Sequence, residues 1–404
     1  MLKLPVSNGL EIAKFDFWPT YRMNLSIFFE PLPEDLFGYP ENPKSVGGYL
    51  APFIHSFPDW RSAEVVLIGL PEYRGTAAPT DLTYQGPNKI RQELYRLMKG
   101  TGSWLLMDLG NLLPGIALED TYLRLKEVIE ILVDAGKFPI LLGGSHDLTY
   151  GQFLGYEHLS KTVHLVMIDS QLDMASEDEA APDQSHLHRI LLHDPNYLFG
   201  FSHLAHQTYL TEASTLAALE KLHFELFRVG QVRQQIQEME PVIRQANLIS
   251  FDVAALRHQD APGQQQANPF GLTGEEACQL CWYAGQNNEL SSFGFYGYRP
   301  EFDHRNLTAT TLATMVWYTI EGFYQRQASL DFQSNQFIKF AVGFHDNPNK
   351  MFFFKNRHTE KWWMQVDDLS GQHPPLLVPC SYQDYLTAAD GDVPNRWILM
   401  QARF

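Results

Sequence analysis

The stretch Pro139-Ile-Leu-Leu-Gly-Gly-Ser-His-Asp-Leu-Thr-Tyr-Gly151 decides how the chain is read. An apolar run ends in a glycine pair, and a His-Asp follows at the mouth of an expected helix. A short apolar run closed by glycines has the texture of a buried strand. Two later stretches share this character. Val163-His-Leu-Val-Met-Ile-Asp-Ser-Gln-Leu-Asp173 and Leu248-Ile-Ser-Phe-Asp-Val-Ala-Ala-Leu-Arg-His-Gln-Asp-Ala-Pro-Gly263 are apolar runs that lead into carboxylates. In an open parallel sheet the strand C-termini line one edge, where such folds place their sites. His146, Asp169, Asp173 and Asp252 can therefore converge, although more than a hundred residues separate the first from the last.

The 404 residues hold one large α/β domain plus an appendage, or two ordinary domains, and 45% hydrophobic content is enough for a sizeable core. A formal charge of −17 argues against nucleic acid and anionic membranes as partners. The three cysteines, Cys278, Cys281 and Cys380, cannot all pair within one chain, and no second CxxC completes a zinc site. They read as reduced thiols. The N-terminus lacks a basic region followed by an apolar core, and no apolar run reaches membrane-spanning length. The expectation is a soluble, cytoplasmic protein.

Residues 1–60, rich in Pro, Phe and Gly, read as an extended arm with short helices packed on the main domain. Residues 61–335 carry the alternation of a parallel α/β fold. The patterns predict strands at 65–70, 104–109, 139–142, 163–168, 223–228, 247–252 and 290–296. They predict helices at 86–98, 120–135, 147–158, 212–221, 231–245, 273–284 and 307–326. Residues 174–200 are polar and rich in Asp, His and Pro, and read as a long loop at the active edge. His193, His203 and His206, in and just beyond that stretch, read as lying in a polar loop region and as solvated rather than catalytic. Residues 336–404 form a C-terminal appendage of short strands and a Pro-punctuated, mostly irregular tail, with Trp362-Trp363 plugging it onto the main domain.

Side by side, the three carboxylate-ended segments resemble the ureohydrolase superfamily of arginases, agmatinases and formimidoylglutamases, over roughly residues 60–330. The family's Gly-Gly-x-His is matched by Gly143-Gly144-Ser145-His146, and its Asp-Ala-His-x-Asp by Asp169-Ser170-Gln171-Leu172-Asp173. Its Ser-x-Asp-x-Asp-x-x-Asp-Pro-x-x-Ala-Pro-Gly is matched from Ser250 to Gly263, and Gly271-Leu272 falls where the family keeps a Gly-Leu. Order, spacing and strand context agree across all three. The resemblance implies an α/β fold: a three-layer α/β/α arginase-like architecture with a central, mostly parallel sheet. The aromatic-rich N-terminal lead and the Trp-Trp tail resemble a bacterial subgroup labelled formimidoylglutamase-like.

The resemblance also implies chemistry. Family enzymes hold two Mn²⁺ ions sharing a hydroxide that attacks an amidine or guanidinium carbon. Carried over, one ion takes His146, Asp169, Asp173 and Asp252, all present. The second position is degraded: the family His is Gln171 and the family Asp is Ala254. One Mn²⁺ per chain is therefore expected rather than two, with no ion at all as the other outcome. Arg257 and His258 stand where the motif has Asp and Pro, so Arg257 is a candidate to fill the vacated position with positive charge. Gly297 replaces a guanidinium-gripping Glu, and Ala175 stands where arginases keep an Asn, so arginine is not the expected substrate. His188, in Ser185-His186-Leu187-His188, resembles the loop histidine that shuttles protons in arginases. The expected activity is hydrolysis of a linear amidine C–N bond in a formimidoylglutamate-like small molecule. Asp173 would assist the tetrahedral intermediate and His188 would move protons. A homo-oligomer is expected from relatives. The alternative is a catalytically inactive member kept as a binding or assembly protein, its strand-end carboxylates serving only to cap loops.

Overall fold

In parallel sheets covered on both faces, strands are apolar at every position rather than at alternate ones, and this is how the central strands of the chain are written. The computed structural model describes residues 24–403 apart from 38–41, 160–161, 177–179, 267, 328–329, 345–346 and 369–373. Its larger sheet has ten strands: β1 Phe29–Glu30, β2 Ala51–Pro52, β3 Val65–Gly69, β4 Leu106–Leu112, β5 Phe138–Leu142, β6 Val163–Ile168, β7 Leu198–His206, β8 Glu225–Arg228, β9 Leu248–Asp252 and β10 Ser292–Tyr296. The order is β1-β4-β3-β5-β10-β9-β6-β7-β8, with β2 also paired to β4. Only the β1–β4 pairing is antiparallel. Every residue of β5, β6, β9 and β10 is buried.

Alternate residues of each strand feed two cores. Ile140, Leu142, Val166, Ile168, Ile249 and Phe251 pack in one cluster with the helices Gly86–Leu94, Gly274–Gly285 and Leu307–Phe323. Leu141, Leu165, Met167 and Leu248 pack in the other with the helices Leu118–Asp134, Leu148–Leu154 and His186–Leu192. The result is the expected three-layer α/β/α sandwich around a mostly parallel sheet. Pro87 sits in the first turn of its helix, where a missing N–H costs nothing.

Four expectations need correction. The stretch 174–200 is not a continuous loop, because it contains the helix His186–Leu192 and the start of β7. His203 and His206 lie on that strand, 0% and 6% exposed, and are not solvated. Histidines at two inward or strand-end positions masked the strand's apolar run. The helix expected at 231–245 is two shorter ones, Val229–Gln234 and Met239–Arg244, because Gln235 leaves helical geometry (φ −135°, ψ 50°). The end of the tail is not irregular: the expected short strands, β11 Phe337–Phe344, β12 Asn347–Asn356 and β13 Trp362–Val366, are joined by β14 Leu376–Cys380 in a second, antiparallel sheet. The helices Tyr382–Ala389 and Asn395–Gln401 follow it.

Residues 1–23 of the expected arm lie outside the described residues; its remainder contributes β1 and β2 to the sheet edge. The second sheet meets the first body through specific contacts. Trp363 lies under the Arg244 guanidinium at 4.2 Å, and Arg244 Nη2 donates to the carbonyls of Trp362 (3.1 Å) and Cys380 (3.3 Å). The three cysteines are free thiols.

Helix Gly86–Leu94 is tied to the sheet by a fully buried ion pair. Arg91 Nε and Nη2 donate to both carboxylate oxygens of Asp108 on β4, at 2.8 and 3.0 Å. Tyr95 Oη donates to the same carboxylate at 2.6 Å. Removing one member of a buried pair strands the other charge. Arg91→Met should therefore lower unfolding free energy by about 3–5 kcal/mol in a denaturant titration.

Candidate metal centre

Four neighbouring strands, β5, β10, β9 and β6, end at one edge of the sheet, and the loops leaving them carry the polar residues the sequence singled out. After β5 the chain turns through Gly143 and Gly144, at φ +80° and +85°. A Cβ on Gly144 would lie 2.3 Å from Leu148 Cδ1 and 3.2 Å from the Leu70 carbonyl, so the turn that presents His146 requires glycine. Asp169 follows β6 directly, and Asp252 ends β9. Asp173 is held at φ +46°, a left-handed conformation uncommon for a side-chain-bearing residue and found where geometry serves a site.

The four side chains converge. His146 Nδ1 is 3.1 Å from Asp173 Oδ2, 3.2 Å from Asp169 Oδ2 and 3.4 Å from Asp252 Oδ2. On its other side His146 Nε2 donates to Ser250 Oγ at 2.9 Å, which in turn meets Thr149 Oγ1 at 2.6 Å. That bond fixes which nitrogen faces the carboxylates, as an outer partner does for a metal-binding imidazole. Asp169 Oδ1 accepts from the backbone N–H of Ser170 and of Gln171 (3.3 Å), and Asp252 Oδ1 from the N–H of Ala254 at 2.6 Å. One oxygen of each of these two carboxylates is thus engaged by backbone and the other points inward.

Without a cation, so many buried charges must share protons. Burial opposes the imidazolium, but the charge of Asp252 and the hydrogen bonds of Asp169 and Asp173 hold His146 well above its ordinary range. Burial and the Asp169 charge push Asp173 well up, and raise Asp252 to about 7. Asp169 resists burial through its hydrogen bond to His146 and falls to about 2.

His146, Asp169 and Asp252 offer ligand atoms within 4.8 Å of one another, as do His146, Asp173 and His186. His186 is the residue that sequence reasoning missed. Its ring lies 4.3 Å from that of His146, and its Nε2 is 3.9 Å from Asp173 Oδ2. Its Nδ1–H donates to the Asp183 carbonyl at 3.1 Å, which leaves Nε2 as an unprotonated, buried atom without a hydrogen-bond partner. Burial and the neighbouring His146 charge push its pKa well down, so the ring is neutral.

His188, the expected proton carrier, is half-buried on the same helix; neither it nor His186 is among the residues lining the cleft, but His186 is the one whose ring meets His146 and Asp173. The helix buries His186, Leu187 and Ile190, a spacing visible in the sequence once residues 186–192 are read as helix. Arg257 does not enter the site either. Its Nε and Nη2 bind Asp260 at 2.9 and 3.2 Å, and it lines a groove on the helical face.

The residues present fit one divalent ion: with its proton displaced, His146 Nδ1 would join three carboxylate oxygens in a hard-to-borderline donor set. The second position does not. Ala254 has no donor atom in its side chain, and Gln171, whose backbone carbonyl accepts from His203 Nε2 at 2.7 Å, offers only a neutral amide there. Gly297 has φ +78°, and a Cβ there would lie 2.5 Å from Asp252 Oδ2, so no Glu fits in this backbone. The cleft at the cluster encloses about 290 Å³, and Gln171, Gln265, Asn268 and Arg299 are among the residues that line it.

Sheet, strand-end histidine and clustered aspartates together define an open α/β protein built to hold a cation at its strand C-termini. The sequence profile of the arginase family matches residues 63–321, and the chain belongs to that family. A formimidoylglutamase of Clostridium tetani is 23% identical over 255 residues, covering 59% of this chain and 75% of that protein. One from Streptococcus pyogenes is 24% identical over 258 residues, covering 59% and 77%. Among solved structures, Trypanosoma cruzi formiminoglutamase with Mn²⁺ superposes with a TM-score of 0.60 at 21% identity, covering 66% of this chain and 95% of that one. Formimidoylglutamase from Bacillus subtilis gives 0.62 at 19% identity, covering 70% and 92%.

Because His146, Asp173 and Asp252 hold protons that a cation must displace, Mn²⁺ affinity should rise from pH 5.5 to pH 8, roughly tenfold per pH unit for each proton released. Calorimetric titration in buffers of different ionisation enthalpy measures that release; a pH-independent affinity would refute the assignment.

Proposed function

We propose that the chain hydrolyses a linear C–N bond of an amidine or guanidino compound, with a formimidoylglutamate-like substrate, using a single Mn²⁺ held by His146, Asp169, Asp173 and Asp252. The observation that carries this reading is the approach of three aspartate oxygens to His146 Nδ1 within 3.1–3.4 Å at the sheet edge. Membership of the arginase family, and relatives named for formimidoylglutamate hydrolysis, support the substrate class.

A bound ion would supply Lewis-acid chemistry and lower the pKa of water. The protein's own groups do the rest. Ser250 holds the His146 ring in register through Nε2. His186, its tautomer set by Asp183, presents an unprotonated Nε2 beside Asp173 from behind the cleft wall, so it acts on substrate protons only through that carboxylate. Asp173 lies between His146 and His186 and is placed to stabilise the tetrahedral intermediate. Arg299 lines the cleft but is buried and already paired with Glu301 through Nε at 2.7 Å, so it braces the wall and holds Gln265 through Nη1 at 2.8 Å.

Dialysed protein reloaded with Mn²⁺ should retain close to one ion per chain by elemental analysis. Gln171→His combined with Ala254→Asp should raise this toward two and increase amidine hydrolysis. His186→Asn should retain the ion while lowering kcat by about 10²–10⁴-fold, the usual worth of a general acid–base group. Absence of both metal and turnover in the parent and in the restored double variant would reject the hydrolase reading.

A further inference from the structure

At the opposite end of the sheet from the metal centre lies a second, larger cavity of about 700 Å³, between the strand N-termini and the antiparallel sheet and open to solvent on one side. Its floor is formed around His164 at the start of β6 and Asn247 just before β9, and its roof by Trp363, Leu377 and Phe332. Strands rise about 3.3 Å per residue, so five-residue β9 alone puts this site on the order of 17 Å from Asp252. Nothing in the proposed hydrolysis uses it.

The cavity carries polar atoms that the protein leaves unanswered. Arg244 is only 7% exposed, and its Nη1 has no hydrogen-bond partner. The other guanidinium nitrogens are committed: Nε to Glu240 at 3.0 Å, and Nη2 to Glu240 and to the Trp362 and Cys380 carbonyls. Both amide atoms of Gln245 and the hydroxyl of Thr359 are likewise buried without partners, and all three residues line the cavity. Buried polar atoms in folded proteins are nearly always satisfied, so a cluster of unpaired ones in the wall of one cavity marks a place where something else can supply the bonds.

The charge balance specifies the occupant. Lys361 Nζ lies 3.2 Å from Glu240, so Arg244 and Lys361 share one carboxylate and leave one positive charge uncompensated. His164 is neutral, because burial holds it down to about 3, and Glu289 is exposed at the rim. A single anionic group meets that excess; a phosphate dianion would overshoot it. Gln245 asks for both a donor and an acceptor, and Trp363, Phe332 and Leu377 ask for apolar bulk. The volume lies within the range of ordinary small-molecule pockets.

We propose that this cavity is a binding site for a small organic carboxylate with an apolar or aromatic body, its carboxylate on Arg244 Nη1 and its ring against Trp363. Binding holds the second sheet to the base of the first, because Arg244 belongs to the helix Met239–Arg244 while Trp363 and Leu377 belong to β13 and β14. The inference stands apart from the hydrolase reading and survives its failure.

The test is calorimetry and saturation-transfer NMR on the full chain with phenylacetate, 4-hydroxyphenylacetate and indole-3-acetate, each against its neutral amide. The expected result is one carboxylate per chain, unaffected by Mn²⁺, with the amide bound roughly tenfold or more weakly because the charge-assisted bond is lost. Arg244→Gln should abolish binding. Since that change also removes the Glu240 pair and can unfold the chain, Leu377→Trp, which fills the apolar side and leaves the ion pair intact, should independently reduce binding by at least about tenfold. No binding of any of the three acids, equal binding of acid and amide, or binding unchanged by Leu377→Trp overturns the proposal.

Discussion

Three aspartates buried against one imidazole nitrogen set the terms for everything around them. Taking each carboxylate out of water costs several kcal/mol even after relaxation, and the architecture offsets that cost at every neighbouring strand end. Backbone N–H groups of Ser170, Gln171 and Ala254 take one oxygen each of Asp169 and Asp252. Ser250 orients the imidazole from behind. The glycines at 143, 144 and 297 let the chain approach without side chains. What remains is an inward concentration of negative charge that either traps protons or takes a cation.

The asymmetry of the site follows from its two missing donors. The half that retains His146 and three aspartates is tightly organised; the half that has Gln171 and Ala254 offers no comparable set. The backbone has settled around this state. The Gln171 backbone carbonyl is pinned by His203, and Gly297 sits at φ +78° where a Cβ would come within 2.5 Å of Asp252 Oδ2. Arg257, which sequence reasoning placed as a compensating charge, satisfies Asp260 instead. Compensation in this protein therefore comes from within the cluster, with His186 as a further neutral nitrogen beside it.

The second sheet adds a feature the arginase-family match does not cover, since that match ends at residue 321. Its contact with the base of the first sheet is not a dry plug. Trp363 does pack against Arg244, as the tail's aromatic pair suggested, but beside that contact the interface opens into a cavity edged by unpaired donors and acceptors.

Much of this was legible in the chain itself. Continuous apolar runs at 139–142, 163–168 and 248–252 dictate buried parallel strands, because only strands covered on both faces are written that way. The carboxylates and histidine directly after them had to share an edge. Motif order further specified the metal-ligand candidates and the loss of the second set. Tertiary structure alone decided the rest. It turned the His186 ring rather than that of His188 toward His146, because a helix phase, not a motif, selects which side chain points inward. It placed His203 on a buried strand, because hydrogen bonding to the Gln171 carbonyl makes an interior histidine affordable there. It created the far cavity, whose walls come from segments more than a hundred residues apart that carry no shared pattern. Periodicity encodes what each segment buries; which unpaired atoms face one another across an interface depends on how the segments dock.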